Sequence, residues 1–111
     1  MNVNKYLYDI KQYSDEIYIH LKDINNFEDY KNNLTVKRAV ERCLEIIGEA
    51  MNNLLTIDPD INITGKRQII ALRNKIIHGY DKVSDQVIWN IVKENLTILN
   101  KEVENHMKAG E

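Results

Sequence analysis

Val3, Leu7, Ile10, Ser14, Ile17, Leu21 and Ile24 follow one another in alternating steps of four and three. That spacing lays a single stripe along an amphipathic helix and predicts one over about 3–24. A second such pattern, Val36, Val40, Cys43, Leu44, Ile47, Met51, Leu54 and Leu55, predicts a helix from a Thr35 N-cap to Leu55. A third covers Lys66–His78 through Ile69, Ile70, Leu72, Ile76 and Ile77, with Gly79 placed to end it. A fourth starts at a Ser84 or Asp85 cap and runs to about Met107 through Val87, Ile88, Ile91, Val92, Leu99 and Val103. Between the first two, Asn26 is placed to cap a short turn over Phe27–Lys31. Thr56–Gly65, with Asp58-Pro59-Asp60, reads as a loop. The expected fold is all-α: an antiparallel four-helix bundle with a short extra helical turn after the first helix.

Composition narrows the class further. Four glycines and one proline in 111 residues are too few for a fold built on many tight turns. The length suits one domain spanning 1–111. No apolar run approaches the ~20 residues of a membrane span, so the expectation is a cytoplasmic protein without a membrane partner. Cys43 is the only cysteine, which excludes an internal disulfide and any zinc site made of several cysteines.

Charge is unevenly placed. Net charge is −2, yet residues 64–83 hold five basic groups, Lys66, Arg67, Arg73, Lys75 and Lys82, against Asp81 alone. The other three stretches of the chain each net −2, whereas this one nets +4. A basic island in an acidic chain suggests a local anion site.

Inside that island lies Arg73-Asn74-Lys75-Ile76-Ile77-His78-Gly79-Tyr80. A guanidinium matches phosphate oxygens with a planar fork, and an imidazole moves protons near neutral pH. Residues five apart lie about 140° from each other around a helix, so Arg73 and His78 do not share one face. Two solutions stay open: His78 turns back at a frayed helix end, or a second subunit completes the site.

The segment fits R-x4-H-x-Y and resembles the HEPN ribonuclease-toxin superfamily, in particular HepT-like proteins. Lys37–Arg42 followed by Glu45–Ala50, Ala71–Asn74, Tyr80–Val83 and Val87–Trp89 are similar to blocks of the same family, and length and helix order agree. The resemblance implies the toxin of a type VII-like pair: a homodimeric, metal-independent endoribonuclease. Its antitoxin would be a cognate minimal nucleotidyltransferase. It implies catalysis by Arg73 and His78, support from Asn74 and AMP addition at Tyr80; Lys75 and Lys82, from the basic island, are expected to attract the RNA. No cofactor and no metal are expected. The alternative is a catalytically silent HEPN subunit that binds a nucleotide or scaffolds a nucleotidyltransferase complex; a plain helical interaction protein is a third class.

Other residues have ordinary readings. Arg73 has a competing role as an ion-pair partner of Glu45 or Glu49, and those two carboxylates are read as structural rather than metal-binding. His20 and His106 are expected on the solvated surface, Cys43 in the core, and Tyr6, Tyr13 and Tyr18 at mixed core and rim positions.

Overall fold

The computed structural model describes residues 3–79 and 83–110. Its elements are α1 (Val3–His20), α2 (Phe27–Lys31), α3 (Leu34–Ile57), α4 (Lys66–His78), α5 (Asp85–Asn90), a π-helical turn (Ile91–Asn95) and α6 (Leu96–Ala109). The chain is all-α, as the periodicity predicts, with no strand among the described residues.

The helix ends follow side-chain chemistry. Asn26 caps α2 by accepting from the Asp29 N–H, and Ser84 caps α5 by accepting from the Val87 N–H. The cap of α3 is Asn33 rather than Thr35: its side-chain oxygen accepts from the Val36 N–H at 3.0 Å. Asparagine is at least as good a cap as threonine, so the earlier site wins. α1 stops at His20 rather than continuing to Ile24. Leu21 and Ile24 still pack on the core, because the chain turns there and keeps the stripe inward.

α1 and α6 run antiparallel. Lys11 pairs with Glu104, Asn100 donates to Ser14 and Asp15, and Tyr18 bonds Thr97, so partners fall along α6 as numbers rise along α1. Ser14 is fully buried on the apolar stripe, and its hydroxyl is satisfied by the Lys11 carbonyl and the Asn100 amide. α3 lies at the centre, packing on α1 and on α4. α2 is held by Tyr30, whose ring stacks at 5.5 Å on Trp89 of α5.

The π-helical turn departs from the expected uninterrupted last helix. Buried residues there are Ile88, Val92, Leu96, Leu99 and Val103, with two successive steps of four. An unbroken 3.6-residue period would carry Asn95 toward the core; one wide turn, with the Leu96 N–H bonded to the Ile91 carbonyl, brings Leu96 inward instead.

Candidate functional site

α4 carries the R-x4-H segment and is fixed by its contact with α3. Gly48, in the middle of α3, is where the two helices meet. A Cβ built on Gly48 would lie 2.3 Å from the Arg73 Cβ, 2.9 Å from its Cγ and 3.1 Å from the Ile69 carbonyl oxygen. Only a glycine admits that approach. It seats the base of the Arg73 side chain against α3, leaving the guanidinium at the edge of the contact.

The guanidinium is under-used by the protein. Its Nη1 donates to the Asn74 Oδ1 at 3.1 Å, and its Nη2 lies 4.0 Å from a Glu49 carboxylate oxygen. The second contact is too long for a hydrogen bond. Its Nε is buried with no hydrogen-bond partner, an arrangement that leaves a donor unsatisfied at a cost of about 1–3 kcal/mol. The ion pair with Glu49 therefore exists but does not consume the fork, and Glu45 pairs with Arg42 instead.

His78 is the last residue of α4 and is exposed. Gly79 ends the helix in the left-handed conformation at φ 70°, with its N–H on the Lys75 carbonyl. His78 thus keeps helical geometry and does not turn back, so the first of the two solutions is not the one seen. About 140° and about 7.5 Å of helix still separate it from Arg73. Lys75 lies about 60° around the axis from His78, on the side away from Arg73.

Lys75 and Gly79 border a cavity of about 410 Å³ that Lys37, Arg38, Glu41 and Asp85 also line. Lys37 pairs with Asp85 at 3.1 Å and Arg38 with Glu41 at 3.0 Å. No ion pair among the described residues engages Lys75, which lines the cavity. Lys66, by contrast, spends its ammonium on the carbonyls of Pro59 and Ile61 and serves the loop. Tyr80 and Lys82 lie outside the described residues.

The structure therefore brings Arg73 together with Asn74 and Glu49, sets Lys75 and His78 on another side, and adds three residues the motif does not show. Gly48 is one; a glycine inside a helix costs about 1 kcal/mol against alanine, and that misfit is its sequence signal. Lys37 and Arg38 are the others, and only tertiary packing places them beside Lys75. His20 corrects the surface expectation: it is half-buried, close to Glu16 and the buried Cys43. His106 is also half-buried, with its Nε2 2.9 Å from the Asn62 carbonyl oxygen. Cys43 is in the core as expected, and burial pushes its thiol up to about 11, with the Glu16 carboxylate acting in the same direction and Arg42 against it.

Comparison with known proteins adds the family context. Residues 4–106 match the ribonuclease HepT-like family. The chain is 34% identical over 111 residues to "Putative RNase MJ0125" of Methanocaldococcus jannaschii, covering 96% of this chain and 92% of that protein. A second relative from the same organism, "Putative RNase MJ1380", is 37% identical over 106 residues, 93% of this chain and 94% of its own. "Probable ribonuclease HepT" of Thermococcus cleftensis is 36% identical over 86 residues, 74% of this chain and 76% of its own. No solved structure matches the chain.

Proposed function

Because this chain belongs to the HepT-like ribonuclease family, we propose that it is a metal-independent endoribonuclease and the toxin of a toxin–antitoxin pair. The observation that carries the reading is the Arg73 guanidinium, locked at its base by Gly48, with one Nη held by Asn74 and the other 4.0 Å from its carboxylate partner, too far for a hydrogen bond. A phosphodiester offers the acceptor oxygens this group lacks.

In the proposed reaction a histidine base takes the proton of an RNA 2′-hydroxyl. The 2′-oxygen bonds to the adjacent phosphorus, the bond to the 5′-oxygen breaks, and that oxygen gains a proton from an imidazolium. The products are a 2′,3′-cyclic phosphate and a 5′-hydroxyl. His78 handles the protons and Arg73 stabilises charge growing on the phosphoryl oxygens. Asn74 orients the guanidinium through the 3.1 Å hydrogen bond. Lys75 and Lys82 hold flanking phosphates.

Since α4 keeps Arg73 and His78 on different sides, the working site takes Arg73 from one subunit and His78 from its two-fold partner. Light scattering at micromolar concentration is expected to give about 26 kDa, twice the 13.0 kDa of one chain. A strict monomer that still cleaves RNA would refute the shared site.

Regulation follows at Tyr80. We assign to a cognate minimal nucleotidyltransferase the addition of AMP to the Tyr80 hydroxyl: the oxygen attacks the α-phosphorus of ATP and pyrophosphate leaves. The added phosphate would compete with RNA for the basic groups of the shared site, and the adenosine would add bulk beside them. After incubation with the partner and ATP, intact-mass spectrometry is expected to show added AMP on the parent and none on Tyr80→Phe. Toxicity should persist in Tyr80→Phe while neutralisation weakens. Equal labelling of both proteins would place the acceptor elsewhere.

A further inference from the structure

α1 and α3 bring together three donors that RNA cleavage does not use. Glu16 and His20 are four apart on α1 and so share a face, and Cys43 meets them from α3. One ligand atom from each, a carboxylate oxygen, a ring nitrogen and the sulfur, lie within 4.8 Å of one another. Cys43 is buried and the other two are half-buried. Among the described residues, no hydrogen bond or ion pair already engages any of the three side chains.

We propose that Glu16, His20 and Cys43 form a zinc site that clips α1 to α3. The donor set suits that ion: sulfur, imidazole and carboxylate together match borderline-soft Zn²⁺ and fit hard Mg²⁺ or Ca²⁺ poorly. Tetrahedral bonds of about 2.0–2.3 Å require donors about 3.3–3.8 Å apart. The three donors must therefore draw together from the 4.8 Å span they occupy. Water takes the fourth position. On binding, the Cys43 thiol loses its proton to solvent as the sulfur–zinc bond forms, and His20 binds through a neutral ring nitrogen.

The site lies on α3 one and a half turns before Gly48, so the clip braces the helix on which Arg73 is seated without entering the cleavage site. The inference stands whether or not the chain cleaves RNA.

The test uses the full chain freed of metal. Titration with Co²⁺ is expected to give a thiolate-to-cobalt charge-transfer band and tetrahedral visible bands that saturate at one ion per chain, both bleached by Zn²⁺. Cys43→Ser should abolish the charge-transfer band, and His20→Gln should weaken Co²⁺ and Zn²⁺ binding by about 100-fold or more. At free zinc about 100-fold above its dissociation constant, the parent's unfolding midpoint should rise by about 10 °C, and that of His20→Gln far less. Should Cys43→Ser fold poorly, His20→Gln decides alone, because its half-buried ring can be replaced without opening the core. Absence of the thiolate band in the parent, or an affinity unchanged in His20→Gln, would overturn the site and leave only adventitious binding at surface carboxylates.

Discussion

Replacing His78 by alanine is expected to lower RNA cleavage by about 10²–10⁴-fold, the range for a lost general acid–base group. Arg73→Ala should cost about 10²–10³-fold, as when a preorganised charge stabiliser is removed. His78 is exposed and Arg73 lies at the edge of the α3–α4 contact, so helicity should be retained in both variants. Arg73→Lys keeps the charge but loses the planar fork, and it should recover only part of the loss. The two dead variants also test the site's composition. Mixed and re-equilibrated, they form dimers in which one site joins an intact Arg73 to an intact His78 across the subunit boundary. Roughly a quarter of parent activity should return, since about half the dimers are mixed and one of their two sites is whole. A mixture as inactive as its components would place both residues in one subunit's site, against the helical geometry of α4.

Gly48→Ala should be nearly as damaging, although Gly48 touches no substrate. The added methyl meets the Arg73 Cβ at 2.3 Å, where real Cβ contacts do not occur, and the Ile69 carbonyl stands at 3.1 Å. Both neighbours belong to a helix backbone or its first side-chain atom, so rotation about a side-chain bond gives no relief and α4 must move. Displacement of a positioning element by about 1 Å commonly costs about 10²-fold in rate. Stability should change much less. Overpacking costs about 1–3 kcal/mol, and alanine returns about 1 kcal/mol of helix propensity. The expected signature is a large fall in cleavage with a modest drop in the urea midpoint. Parent-level cleavage by Gly48→Ala would show that the close approach does not position Arg73.

Local rules made most of the fold legible. Period and caps located every long helix, and α4 has the expected ends because Gly79 terminates it in a conformation glycine adopts freely. The misses arise where a tertiary partner decides. The α3 cap is a local exception: Asn33, two residues before the expected Thr35, accepts from the Val36 N–H. The π-helical turn exists because Leu96 rather than Asn95 must meet the core, a competition visible only once the other helices are placed. His20 read as a solvated residue in a polar stretch of the first helix until Cys43 arrived opposite it from α3. Arg73, Asn74, Lys75 and His78 were legible as chemistry, since their types and spacing suit phosphate and proton transfer. Helix geometry also showed that Arg73 and His78 cannot share a face of a continuous helix, but it left open whether His78 turns back at the helix end. The support was not: Gly48 acts through a contact 25 residues further along the chain, and Lys37 and Arg38 reach the cavity from a different helix.

On the proposed mechanism, Arg73 and His78 cleave RNA by transesterification without a metal ion. Purified protein should be incubated with RNA in excess chelator, beside His78→Ala, and the product ends analysed. Undiminished cleavage by the parent is expected, with 2′,3′-cyclic phosphate and 5′-hydroxyl ends, and none above background by the variant. Cleavage that disappears with chelator at a temperature where the metal-free chain stays folded, that leaves 5′-phosphate ends, or that continues equally in His78→Ala would refute that mechanism.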